Sequence, residues 1–344
     1  MNPYALSMII SSLALGTVMT LSSFHWILAW IGLEINTLAI IPLMTKTPHP
    51  RAIEAATKYF LIQATASGLI LFACTFNAWT QGEWTINNLM NPISTILLSI
   101  SILTKLGVAP FHFWFPEVIQ GLTLQTGLII STWQKLAPMA LFLQLSHSIN
   151  LTLTLTLGLI STLIGGWGGI NQTQTRKILA FSSIAHLGWM VAVMKISPQL
   201  SLLNFTLYVT MTLTLFFTFI ILNSKNISQL TTSWSKVPAL TALSLLSLLS
   251  LSGLPPLTGF LPKWLIAQEL IKQDLTLFAF MILMTTLLSL FFYLRLTYTI
   301  SLTLAPNSSF SPSLWTLKKK NNLSIPLLLT LCILPLAPLS LCLT

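Results

Sequence analysis

Charge is what this sequence lacks most. Of 344 residues only 6% are Asp, Glu, Lys or Arg, and just six of these are acidic. Soluble domains carry about a quarter charged residues. With 54% hydrophobic residues, the chain cannot cover itself with polar surface, and a water-soluble protein is excluded. Cysteine is scarce as well. Cys74, Cys332 and Cys342 all lie in apolar runs, at a spacing that suits neither a metal site nor a disulfide framework. No phosphate-binding glycine loop, zinc motif or catalytic triad is present, so no cofactor or metal is expected on this chain. The net charge of +10 is not a nucleic-acid signal: the basic residues are scattered between apolar runs and form no patch with interleaved aromatics.

What is there in quantity is apolar sequence in lengths that suit a bilayer. A helix needs about 20 apolar residues to cross a hydrocarbon core about 30 Å thick. Turn signals and charges divide the chain into about eleven such segments, at 3–21, 25–44, 57–79, 92–120, 124–145, 149–170, 175–195, 199–222, 239–271, 276–300 and 322–343. The expectation is an all-α integral membrane protein forming a single membrane domain over 1–344. Within it lie a leading helix (1–21), a first half (about 25–145), a second half (about 149–300) and a terminal helix (322–343). The start, MNPYALSMII, enters an apolar run without the cationic lead of a secretory signal or the Arg/Ser-rich pattern of a transit peptide. Insertion where the chain is made is therefore expected.

Basic residues orient the segments. Even-numbered loops hold ten of them: Lys46, Arg51, Lys58, Arg176, Lys177, Lys225, Lys236, Lys318, Lys319 and Lys320; odd-numbered loops hold two, Lys195 and Lys272. This positive-inside bias places the even loops and the N-terminus on the inner side and the C-terminus outside.

The fourth and ninth segments, 92–120 and 239–271, are longer than a span requires and carry Gly/Pro clusters: TKLGVAPFHFWFPEV and SGLPPLTGFLPKW. They lie five helices apart and so cross in opposite directions. Interrupted helices at matching positions of two inverted halves mark the ion path of many transporters, although Pro and Gly are also simply frequent in membrane helices. Each interruption sits beside a lysine, which favours the first reading.

Four basic residues fall inside spans: Lys105, Lys135, Lys263 and Arg295. Glu34 lies mid-span in LAWIGLEINTLAII. A charge at the bilayer centre costs about 2.5–3.5 kcal/mol on insertion scales, so Glu34 and the three lysines together cost roughly 10 kcal/mol. Each must face the bundle interior with a partner or water. Desolvation disfavours a charged lysine and a neighbouring carboxylate favours it, so a Glu/Lys pair whose separation changes can take up and release a proton. Arg295, near the inner end of its helix, fits snorkelling to the interface. Glu117, after Pro116, fits a cap on the second half of a broken helix. Glu269 fits a wet helix end, Glu54 and Glu83 are loop residues, and His25, His49 and His147 sit at helix ends. His186, mid-span beside Ser182 and Ser183, and His112, in the first interruption, are candidate proton relays or hydrogen-bonded structural residues. An interruption also frees backbone groups at membrane depth, which protein or water must satisfy.

In combination, MNPYALSMII, LAWIGLEINTLAIIPL, KYFLIQATAS, TKLGVAPFHFWFPEV, STWQKLAP and SGLPPLTGFLPKW resemble, over the whole chain, the antiporter-like subunit 2 family of the mitochondrial NADH dehydrogenase, respiratory complex I (NADH-ubiquinone oxidoreductase chain 2). The Leu/Thr-rich, Val-poor composition is similar to that of a vertebrate mitochondrially encoded protein. The resemblance implies inverted five-helix repeats, with three leading helices absent relative to fourteen-helix relatives. It implies proton translocation across the mitochondrial inner membrane, driven by electron transfer from NADH to ubiquinone. It puts the family's carboxylate on Glu34, its broken-helix lysine on Lys105, its central lysine on Lys135 and its second broken-helix charge on Lys263. The flavin, the iron–sulfur clusters and the quinone site then belong to other subunits. The implied partners are other membrane subunits and lipids such as cardiolipin, with no nucleic acid and no stand-alone homo-oligomer. Two other readings compete. A free-standing cation/proton antiporter needs a carboxylate-rich ion site, yet Glu34 alone is clearly buried and acidic. A membrane scaffold has no use for buried lysines.

Overall fold

The computed structural model describes residues 2–86, 91–236, 238–255 and 257–301. The expected terminal span at 322–343, the basic run at 318–320, Cys332, Cys342 and Pro256 lie outside the described residues. The described chain is helical, with no strand and only two isolated bridge pairs, His25 with Thr85 and Gln174 with Asn226. In chain order the helices are α1 (Pro3–Ser22), α2 (Trp26–Met44), α3 (Pro50–Gln81), α4 (Pro92–Leu106), α5 (Trp114–Gly121), α6 (Leu124–Ser131), α7 (Trp133–Gln144) and α8 (Leu151–Ile170). There follow α9 (Thr175–Val193), α10 (Pro198–Leu222), α11 (Ile227–Thr231), α12 (Ser233–Lys236), α13 (Pro238–Ser252), α14 (Phe260–Lys272) and α15 (Thr276–Ser301). Six of them, α1, α2, α3, α8, α10 and α15, are long and apolar enough to cross a membrane.

Local chemistry sets the helix starts. Pro3, Pro50 and Pro92 stand at the first position of α1, α3 and α4, where a missing N–H costs nothing and φ is already helical. His25 and His49 are N-caps: their Nδ1 atoms accept from the N–H groups of Ile27 and Arg51 at 3.3 and 3.1 Å. Sequence reading places both at helix ends, and their local task is to satisfy amides orphaned there.

The described residues divide into two compact units, one within Met1–Ser161 with Val191–Pro198, the other of Thr162–Met190 with those from Gln199 to Ser301. In the first, α1 packs on α2, α2 on α3 and α7, α3 on α4 and α5, and α4 on α7. The α1–α2 crossing is a glycine contact: a methyl group on Gly32 would come within 2.6 Å of the Thr20 Cγ2 and one on Gly16 within 2.9 Å of the Gly32 carbonyl. Lipid supplies no hydrophobic drive between helices, so close approach through small residues supplies the packing. In the second unit, α15 packs against α11, α13 and α14, and the GGWGG face of α8 meets Ala185 of α9 and Leu288 and Phe292 of α15. Arg295, rather than only reaching an interface, donates to the Ile170 carbonyl at the end of α8 at 2.7 Å.

Two elements depart from the sequence expectation. The run 124–145 is two helices, parted at Thr132, whose backbone sits at φ −115° and ψ −68°. Pro138 is not at the parting: α7 runs through it, and its missing N–H leaves only the Gln134 carbonyl, inside α7, without its helix bond. The stretch between 222 and 239 contains the short helices α11 and α12, which a reading tuned to 20-residue spans passes over. Glu117 is half of an ion pair rather than a cap alone: Lys58 on α3 bridges it at 2.8 Å and Glu54 at 2.7 Å.

Candidate functional site

In the first unit the site is assembled on the end of α4. Lys105 is in its last turn and 5% exposed. The helix stops at Gly107, which adopts φ +77°, a left-handed turn that an L side chain resists. The carbonyls released by that stop are taken up by protein. Leu103 accepts from the N–H groups of Gly107 and Val108 at 3.0 and 3.1 Å. Thr104 accepts from the Trp114 indole at 3.1 Å, and Lys105 from Gln63 on α3 at 3.5 Å. The interruption is thus closed on its backbone side, and the lysine side chain is left to project elsewhere.

It projects into a cavity lined by Asn36 and Thr37 of α2, Tyr59 and Gln63 of α3, Lys105 of α4, and Gln134 and Lys135 of α7, among others. About 20 Å³ of it can hold the centres of water molecules, and one water needs about 10–15 Å³. The Lys105 Nζ has no hydrogen-bond partner among the described residues. Lys135 is 2% exposed, and its Nζ lies 4.5 Å from the centre of the Phe115 ring, a cation–π contact that offsets part of the desolvation cost. Glu34 is half-buried on α2 and accepts from the Thr37 hydroxyl at 3.0 Å. No ion pair within 4 Å joins its carboxylate to Lys105. Gln134 ties α7 to α2 by donating to the Asn36 carbonyl at 3.3 Å.

The second unit builds a smaller site on the end of α13. Gly253 takes φ +85° after Ser252, the same left-handed stop. Lys263, half-buried in the first turn of α14, donates to the Ser252 carbonyl at 2.9 Å. A cation at the negative end of α13 is a favourable placement. A methyl group on Gly253 would fall 2.8 Å from the Lys263 Nζ, so the glycine also clears the approach. Lys263 shares a cavity, about 10 Å³ to water centres, with His186, Trp189, Asn204 and Tyr208. His186 is buried; its Nε2 lies 3.4 Å from the Tyr293 hydroxyl and its ring 5.7 Å from that of Tyr208. Ser183 and Ser182 sit against the phenols of Tyr208 and Tyr293.

Of the residues singled out in the sequence, the structure thus brings Lys105 and Lys135 to one cavity and His186 and Lys263 to another; Glu34 lines neither, although its neighbour Leu33 lines the first. His112 lines neither; it is buried in the turn after α4, with Nδ1 3.3 Å from the Pro110 carbonyl. Sequence reading missed Asn36, Tyr59, Gln63 and Gln134 in the first cavity and Asn204, Tyr208 and Tyr293 at the second. Polar residues in the middle of apolar runs were the available signal.

The apolar, all-helical fold is of the antiporter-like class. Residues 23–289 match the family model for NADH:quinone oxidoreductase/Mrp antiporter membrane subunits, and residues 290–341 that for the C-terminus of NADH dehydrogenase subunit 2. NADH-ubiquinone oxidoreductase chain 2 of Aquarana catesbeiana is 59% identical over 340 residues, covering 98% of each chain. The protein of that name from Xenopus laevis is 59% identical over 344 residues, 99% of this chain and 100% of its own. A chain of respiratory complex I from Thermus thermophilus superimposes with a TM-score of 0.82 at 25% identity, over 96% of this chain and 78% of that one. This chain belongs to the NADH-ubiquinone oxidoreductase chain 2 family.

Proposed function

We propose that the chain is a proton-translocating membrane-arm subunit of mitochondrial NADH:ubiquinone oxidoreductase, and that Glu34, Lys105, Lys135, His186, Lys263 and His112 carry the protons. The observation that carries this reading is the shared cavity of Lys105 and Lys135. Two lysines face one buried, water-sized space, with the Glu34 carboxylate within electrostatic range. A lysine so placed can exchange a proton with neighbouring water, and a change in its distance from Glu34 shifts that exchange. Lys263 and His186 form the corresponding pair in the second unit, and His112 serves at the rim of the first interruption.

In this reading α4 with α5, and α13 with α14, are discontinuous spans within a single membrane domain of about eleven spans. The N-terminus faces the matrix and the C-terminus the intermembrane space of the inner membrane. Other membrane subunits of the complex and lipids such as cardiolipin are its neighbours. NADH, flavin, iron–sulfur clusters and ubiquinone act in other subunits, and the energy reaches this chain through its neighbours. A free-standing cation/proton antiporter would exchange ions as an isolated chain in vesicles; no such exchange is expected.

The test is Lys105→Met in the assembled complex. Proton translocation driven by NADH should fall about tenfold or more, the scale of losing one acid–base group, with normal assembly. Wild-type translocation in that variant would remove the basis for the proposal.

A further inference from the structure

In each unit one buried asparagine holds out an amide that no protein group meets. Asn36 on α2 is 2% exposed, and neither its Nδ2 nor its Oδ1 has a hydrogen-bond partner among the described residues. Asn204 on α10 is 4% exposed, and its Nδ2 has none. Orphans of this kind are rare, because a buried amide without a partner is costly. Both orphans line a cavity that also holds a buried or half-buried lysine: Asn36 with Lys105 and Lys135, Asn204 with Lys263 and His186. The Lys105 Nζ is itself unmet, so two residues from two helices, Asn36 and Lys105, bring unmet polar groups to one cavity with room for water. Asn36 is also backed from behind. A methyl group on Gly16 of α1 would stand 3.0 Å from its Oδ1, so α1 presses on the amide without offering it a side-chain partner.

We infer that Asn36 and Asn204 are positioning residues, each holding a water molecule that connects the titratable groups lining its cavity. This rests on the proton-carrying reading of the lysines. The chemistry of the amide suits the task. It donates and accepts at once, so it fixes a water in orientation, and it does not titrate, so it cannot keep the proton. The held water accepts a proton from an ammonium group on one lone pair and gives up a different proton from its own O–H to the neutral amine or imidazole across the cavity (Lys105 to Lys135 in the first, Lys263 to His186 in the second), returning to neutral water. A carboxylate in the same place would store the charge, and an apolar side chain would leave nothing to hold the water.

The test uses the assembled complex in proteoliposomes, with four asparagine variants, Lys105→Met for comparison, and one map. Asn36→Leu keeps the shape and deletes the hydrogen bonds; NADH-driven proton translocation should fall about tenfold, as for loss of one or two bonds to a charged partner. Asn36→Ser keeps a donor and an acceptor and leaves space for a second water, and should recover most of the rate. Asn204→Leu and Asn204→Ser should repeat the pattern. A purely structural role predicts no such rescue, because Ser fits the space less well than Leu. If Asn36→Leu pumps like wild type while Lys105→Met does not, the inference is overturned and the proposed function stands. If Lys105→Met also pumps normally, the proposed function itself fails. Should the Leu variants not assemble, a density map of the unaltered complex decides. Water within hydrogen-bond distance of both the Asn36 amide and the Lys105 Nζ supports the inference, and an amide bonded directly to protein overturns it.

Discussion

Lys105, Lys135 and Glu34 were legible in the sequence because an ion at mid-bilayer depth is costly and therefore conspicuous. Their surroundings were not. Thr37, which donates to Glu34, sits in a chain where Ser and Thr are abundant in every apolar run, and most of them only return a bond to the preceding turn, as Thr104 does to Ser101. Nothing in spacing separates Thr37 from these. Phe115 likewise reads as an ordinary core aromatic until its ring is found 4.5 Å from the Lys135 Nζ. Two predictions belong at this scale. Glu34→Gln removes the carboxylate proposed to act on Lys105, and coupled NADH:ubiquinone turnover should fall roughly several-fold, the order expected for deleting a charge near a partly buried partner. Thr37→Val, which frees the carboxylate from its hydroxyl partner, should give a smaller loss in the same assay. Equal turnover in Glu34→Gln and wild type would detach Glu34 from the relay.

Among the elements, the stops at Gly107 and Gly253 organise both sites. TKLGVAP and SGLPPL carry the Gly and Pro of a helix stop, and the structure adds how each stop is closed: Trp114, Gln63 and Lys263 donate to the last carbonyls of α4 and α13. Those partners lie 10 and 42 residues away in the chain for the first two contacts and 11 for the third, so no local pattern could have named them. The parting of α6 from α7 went unread for a different reason: it falls at Thr132, where the sequence carries no Gly or Pro, and the one proline of STWQKLAP, Pro138, lies inside α7. Gly107→Ala tests the α4 stop. A methyl group there meets nothing closer than 3.4 Å, from Phe115 and Trp114, so crowding is not the issue; the cost is the left-handed backbone, about 1 kcal/mol. The complex carrying it should assemble but unfold at a lower temperature, whereas unchanged thermal stability would mean that the turn relaxes freely.

For the whole molecule, composition settled the class at once, because a chain with 6% charge has no soluble solution. The placement of basic residues gave an orientation that can be checked independently of any mechanism. A cysteine introduced as Thr47→Cys should react with an impermeant thiol reagent only from the matrix side, and Asp274→Cys only from the opposite side. The reverse pattern would invert the proposed topology. Two compact units, each with its own lysine at its own helix stop, fit a chain that handles protons in more than one place.

The most direct measurement is the rate of proton translocation per assembled complex bearing Lys135→Ala, in proteoliposomes supplied with NADH and a quinone. A fall of about tenfold or more with assembly near normal is predicted, as for removal of an acid–base group from a relay. An unchanged rate and an unchanged number of protons per NADH oxidised would contradict the claim that these buried lysines carry the proton.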